Sequence, residues 1–258
     1  MQSALDRFDI ENAIQQFRIS IGRVRDLIAL HNSVKAQATG ALDVSDMLRA
    51  ALVLSVSALD YYVHEVVTLG ILQIHLGRRP EPPISSNTLQ SAFSRFQVSL
   101  GGARQDRQTA IDIASWLETE IRQLHGDDFL QQPQTVASLI PVISGSVVTR
   151  LNNVAWLEAE IRERLGYQSF QQADKIADAI RYISGERLWD EVATRMNRTA
   201  KDIKQQLNSI VDRRNKIAHE ADIDPTFNIG NRWFIDEVLV GDAVNFVEQV
   251  VDSIHQVI

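Results

Sequence analysis

Helical periodicity sustained over whole segments, with few residues to break it, is what most limits the folds open to this chain. From Ala4 to about Val34, apolar side chains recur at Ile10, Ile14, Phe17, Ile21, Val24 and Ile28, the spacing that lines one stripe of a 3.6-residue helix. Only six prolines and twelve glycines punctuate 258 residues, so an all-helical fold rather than a sheet protein is expected. A second helix should start near Ser45, capped by Asp43, and run to about Leu76, ahead of Pro80, Pro82 and Pro83. A penultimate helix should start at Thr199, whose hydroxyl can cap the amide three residues on, with Asp202 at the positive end of the helix dipole. It should close near His219, because Pro225 forbids helical geometry at Asp224. Asp242 reads as the cap of a last helix that buries Val244, Val247, Val251 and Ile254.

The middle of the chain is less regular. Shorter helical patterns, Thr109 to Leu124 and Leu151 to Leu165, are separated by Pro, Gly and Ser signals. The expected organisation is therefore core helices over 1–77, a helical insertion over 78–190 packed on the same domain, and the remaining core helices over 191–258. With 45% apolar residues the chain can bury a sizeable core.

Composition then removes several function classes. There is no cysteine, so disulfide scaffolds, thiolate metal sites and cysteine nucleophiles are excluded, and a reducing, cytoplasmic setting is expected. The first twenty residues carry Asp6, Arg7, Asp9, Glu11 and Arg18, which argues against a signal peptide. The longest uncharged stretch, Phe129 to Thr149, is interrupted by glutamines, Pro133, Pro141 and Gly145, so no membrane span is expected there. A net charge of −7 speaks against a general nucleic-acid coat, and any polyanion must be drawn by a local basic patch. Such a patch exists: between Arg195 and Lys216 seven bases face only Asp202 and Asp212. Arg198, Lys201, Lys204 and Lys216 are its candidate RNA contacts, against the plainer reading of a solvated helix face.

No glycine-rich phosphate loop, GxSxG turn, HExxH or ExxH pair occurs, and the six histidines lack ligand spacing, so neither a metal nor a cofactor is expected. Two places instead put polar groups where the helical pattern calls for apolar ones. On the penultimate helix, Ile203, Leu207, Ile210, Val211, Ile217 and Ala218 share one face, and Arg214 points along its middle. Such an arginine must have a carboxylate partner, reach a cleft or sit at a subunit interface. Asn215 and His219 can border the same cleft. On the second helix, Arg49, Ser57, Asp60, His64 and Thr68 form a polar seam that should face the penultimate helix. Asp60 is then the natural counter-charge for Arg214, with Glu65 a substitute. His64 reads as a satisfied core histidine, Tyr61 and Tyr62 as packing residues, and the four tryptophans as core or interface anchors.

The run Ile210-Val-Asp-Arg-Arg-Asn-Lys-Ile-Ala-His-Glu-Ala-Asp222 resembles the arginine, four to six residues, histidine signature of the HEPN superfamily. Its likeness is to the RiboL-PSP type, which Ser57-Ala-Leu-Asp-Tyr-Tyr-Val-His-Glu-Val-Val67 and the acidic start of the last helix also resemble. The spacing alone arises by chance about once or twice in such a chain, and Arg25 with His31 is one decoy. What distinguishes Arg214 is the adjacent Asn215 and a histidine at the helix end.

The resemblance implies a HEPN-like four-helix bundle with an extra helical insertion between its second and third core helices. It further implies a metal-independent endoribonuclease in which a ribose 2′-hydroxyl attacks its own phosphate, leaving 2′,3′-cyclic phosphate and 5′-hydroxyl ends. Arg214 would hold the phosphate, His219 would exchange protons and Asn215 would orient them, with Asp60, Arg213 and His64 in support. One signature supplies one histidine where acid and base are both needed, so a twofold homodimer with a composite active site is expected. A toxin or antiphage role, restrained by an antitoxin or a defence-complex partner, is also implied. The rival expectation is a non-catalytic HEPN dimer that binds RNA, a nucleotide or a partner protein.

Overall fold

The computed structural model describes residues 9–37, 43–83, 107–226 and 230–258. These residues are helical throughout apart from turns, and contain no strand, only an isolated antiparallel bridge between Ile223 and Arg232. The chain divides into two compact units, one of residues 1–83 with 166–258 and one of 84–165.

The larger unit is built around α2 (Ser45–His75), which contacts α1 (Glu11–Gln37), α6 (Ala173–Ile180), α8 (Ala200–Glu220) and α9 (Glu237–Val257). α1 contributes the expected stripe, with Ile14, Phe17, Ile21 and Val24 buried. Its expected start at Ala4 lies outside the described residues; within them Asp9 accepts the Glu11 amide at 3.1 Å and the helix begins. α2 is buried on nearly every side. It is also long and apolar enough to cross a bilayer by length and composition, but 56% of its most apolar window is buried inside the protein, as befits a core helix. The helix starts at Ser45 as expected, but Val44 and not Asp43 holds the N-cap position; Asp43, one residue further out, accepts the Ser45 amide through its Oδ1 at 2.9 Å. Gly70 on this helix has a steric reason: a Cβ there would lie 2.6 Å from Cγ2 of the buried Ile183.

α7 (Leu188–Met196) packs against α8 and α9, and α9 against α1 and α2. Thr199 Oγ1 accepts the Asp202 amide at 3.1 Å, the cap read from sequence for α8. The last helix differs from expectation. Asp236, not Asp242, caps it by accepting the Leu239 amide at 2.8 Å, which places Asp242 inside α9. Val244, Val247, Val251 and Ile254 are buried as expected.

The smaller unit, described from residue 107, contains α3 (Arg107–His125), α4 (Val136–Leu151) and α5 (Val154–Gly166) up to Leu165, with α3 packed on α4. The insertion expected over 78–190 is therefore divided. Residues 166–190, which include α6 and the start of α7, belong to the larger unit with the core helices. Trp189 shows why, since its ring is buried and its Nε1 donates to the Ala173 carbonyl at 2.9 Å, tying α7 to α6.

Candidate functional site

The site is made by the way α8 ends. Ala221 and Asp222 both adopt left-handed backbone, with φ of 51° and 59°, a conformation that costs a residue with a Cβ. The Asp222 amide donates back to the Lys216 carbonyl at 3.0 Å, closing the helix. The fully buried Asp222 carboxylate makes this turn worthwhile: its Oδ2 accepts Arg49 Nε of α2 at 2.7 Å and Arg213 Nη2 of α8 at 2.8 Å, while its Oδ1, with no hydrogen-bond partner among the described residues, lies 2.8 Å from Arg213 Nη1 as an ion pair. Arg49 also donates to Ser45 Oγ and the Trp233 carbonyl, and Arg213 to the carbonyls of Trp233 and Phe234. Burial pushes the Arg213 guanidinium below its ordinary pKa, Arg49 acts the same way, and Asp222 opposes both. This Arg49–Asp222–Arg213 cluster was not anticipated, and it gives Arg213 a structural post beneath the signature.

With the helix end held, Arg214, Asn215 and His219 line one open cleft of about 550 Å³. Of the three fates open to Arg214, the structure gives it the cleft. It is half-buried, and its Nε is enclosed without a hydrogen-bond partner among the described residues. The apolar face around it is less covered than the pattern suggested, for Ile217 is half-buried and Ala218 exposed.

The other wall is the segment 167–172 with the start of α6, and it explains the seam on α2. Asp60 is not the partner of Arg214. Its Oδ1 accepts the Phe170 amide at 2.6 Å and its Oδ2 accepts Gln171 Nε2 at 3.0 Å. His64 Nε2 donates to the Gln168 carbonyl at 3.1 Å, and its ring meets the buried Phe170 ring at 4.5 Å between centroids. Asn208 of α8 accepts the Ala173 amide at 3.0 Å, capping α6 and bringing Lys175 into the cleft. Asp60 and His64 thus act on the site through this wall rather than facing α8; of the rest of the seam, Arg49 turns to Asp222, while Ser57 and Thr68 donate to the Val53 and His64 carbonyls of α2 itself. Tyr62 is buried in the core as expected, but Tyr61 is half exposed.

The candidate RNA contacts on α8 and just ahead of it do not line the cleft. Lys204 pairs with Asp174 at 2.6 Å, Lys216 lies 4.7 Å over the Trp233 ring, Arg198 donates to Gln206 and sits over Phe246, and Lys201 is exposed. Lys175, which the sequence reading missed, does line it. No periodic or motif signal marks that residue. The Trp116 side chain lies outside the described residues; Trp189 anchors the core and Trp233 flanks the ion cluster.

Over its last third this all-helical chain is similar to a HEPN-type domain. Residues 175–258 match the family model described as RiboL-PSP-HEPN, a span that takes in most of α6 and all of α7, α8 and α9, and so the cleft-lining Lys175, Arg214, Asn215 and His219. No curated protein and no solved structure matches the chain.

Proposed function

We propose that the protein is a metal-independent endoribonuclease. The observation that carries this reading is the meeting of Arg214, Asn215, His219 and Lys175 in one open cleft whose lining, among the described residues, has no carboxylate. That donor set suits a phosphodiester rather than a divalent cation. The imidazole of His219, exposed at the helix end, takes the proton from a ribose 2′-hydroxyl. The 2′-oxygen then attacks the adjacent phosphorus and the 5′-oxygen leaves, giving a 2′,3′-cyclic phosphate and a 5′-hydroxyl. Arg214 and Lys175 offset the charge that grows on the phosphoryl oxygens, and Asn215 orients the phosphate.

A second histidine, needed to protonate the leaving oxygen, comes from a twofold-related copy. An apolar surface supports that pairing: Leu54 of α2 is 50% exposed and borders the same depression as Ile217 and Ala221 at the end of α8. A cytoplasmic toxin or antiphage effector, held in check by an antitoxin or a defence-complex subunit, is the biological setting that suits such an activity. The test is incubation of wild type, Arg214→Ala and His219→Ala with mixed cellular RNA in EDTA. Cleavage by wild type and at least about a hundredfold less by either variant is expected. Equal cleavage by all three overturns the assignment, and its absence in wild type favours the non-catalytic binding module.

A further inference from the structure

The nuclease reading accounts for Arg214, Asn215, His219 and Lys175 but not for the segment 167–172 that faces them. This segment is held more firmly than a connector needs to be. Asp60 takes its Phe170 amide and Gln171 side chain, His64 takes its Gln168 carbonyl, Phe170 is buried as a plug, and Asn208 takes the amide of Ala173. Except for Gln171, these ties use backbone groups or the buried Phe170. The side chains of Tyr167, Gln168 and Gln172 are consequently left exposed at the cleft, and Tyr167 is 85% exposed.

A large ring held out of every core beside two cations, on a braced backbone, has the chemistry of a stacking platform. The flanking glutamine amides each offer a donor and an acceptor, which suits the edge of a base and does little for a phosphate. In an A-form duplex the bases are stacked inward with their edges paired, so neither feature can be used there. Resting on the nuclease reading, we infer that the Tyr167–Gln172 wall binds an unpaired nucleotide next to the scissile phosphate, which makes single-stranded RNA the substrate class. Asp60 and His64 are positioning residues for this wall.

The test uses fluorescence anisotropy of the full chain in EDTA with 2′-O-methyl oligoribonucleotides, which lack the attacking hydroxyl. Single strands of each base and a duplex of the same length are compared. Single strands should bind at least about tenfold more tightly than the duplex, and Tyr167→Ala should remove about tenfold of that affinity while Tyr167→Trp keeps it. Gln168→Ala and Gln172→Ala should change the ranking among bases. Unaltered single-strand binding by Tyr167→Ala, or equal affinity for duplex, overturns the inference.

Cleavage of unmodified RNA by the same preparations separates this inference from the one beneath it. His219-dependent cleavage without Tyr167-dependent binding overturns the recognition wall alone. Tyr167-dependent binding without His219-dependent cleavage overturns the nuclease and supports the wall as part of a binding module. Failure of the wild type to bind any oligonucleotide overturns both.

Discussion

Asp222 is the residue on which the geometry of the signature depends. Its carboxylate is fully buried between Arg49 and Arg213 and sits on a left-handed turn that an aspartate adopts at some cost. Removing it leaves the buried Arg49 guanidinium with only the exposed Asp46 carboxylate, 3.6 Å away, as counter-charge, and breaking a buried pair in this way costs about 3–5 kcal/mol. Asp222→Ala should therefore lower unfolding stability by roughly that much in urea titration, and Asp222→Asn, which tolerates the turn, should still lose a large share of it. A change within about 0.5 kcal/mol, the range of ordinary surface substitutions, would show the cluster to be incidental.

Asp43 makes a smaller, pH-dependent contribution. Its hydrogen bonds with Ser45, and then the charge of Arg232, hold its carboxyl below the usual carboxylate range. Because the folded value is depressed, the stabilisation is complete above the unfolded pKa of about 3.9 and fades as pH falls through the lower folded value. Asp43→Ala should cost about 0.5–1 kcal/mol at neutral pH, and much less once the carboxyl is protonated in wild type. Thermal melts at pH 7 and pH 2.5 check this, and an equal penalty at both contradicts it.

At this scale the sequence shows what a residue needs more readily than where it finds it. Arg214 visibly required a cleft, a partner or an interface, and it lines a cleft. Asp60 visibly required a partner too, but its partner is a backbone amide 110 positions away, and no side-chain pattern encodes an amide. The role of Asp222 was hidden for a related reason, since its carboxylate reaches α2 only through two left-handed residues that carry no glycine signal.

Among the elements, α2 does most to organise the larger unit. At Gly70 the chain after α6 packs tightly against it, with three Ile183 side-chain atoms within 2.9 Å of where a Cβ would stand. Alanine is the better helix former by about 1 kcal/mol, yet Gly70→Ala should destabilise by about 1–3 kcal/mol, because the buried Ile183 cannot move aside. Calorimetry that found the variant more stable would mean that this packing is loose. Capping chemistry made the start of α8 legible, since Thr199 sits directly ahead of a periodic run, and Asp43 marked the start of α2 from one residue outside its N-cap, Val44. It misled at α9, where Gly241 and Asp242 mimic a start while the true cap, Asp236, follows an aromatic stretch that gives no sign of a boundary. The insertion boundary was lost for lack of periodicity, and α6 is only eight residues long.

For the whole molecule, the proposed chemistry calls for a second copy of the chain. Light scattering at working concentration should give a dimer, and Leu54→Asp, on the half-exposed apolar face, should give a folded monomer that no longer cleaves RNA. A wild-type monomer that still cleaves would remove the composite site while leaving the cleft. The two features that point to recognition lie in different parts of the sequence: the signature in α8 matches the family span, whereas the braced wall of residues 167–172 lies just outside it.

The most direct test of the central claim is cleavage, in EDTA, of one RNA oligomer and of its twin carrying a single 2′-deoxy nucleotide on the 5′ side of the cut. The account predicts that the all-ribose strand is cut to a cyclic phosphate and a 5′-hydroxyl, that His219→Ala leaves it intact, and that the twin resists at that position. Cutting of the twin at the same bond and rate, or fragments ending in a 3′-hydroxyl, would contradict it.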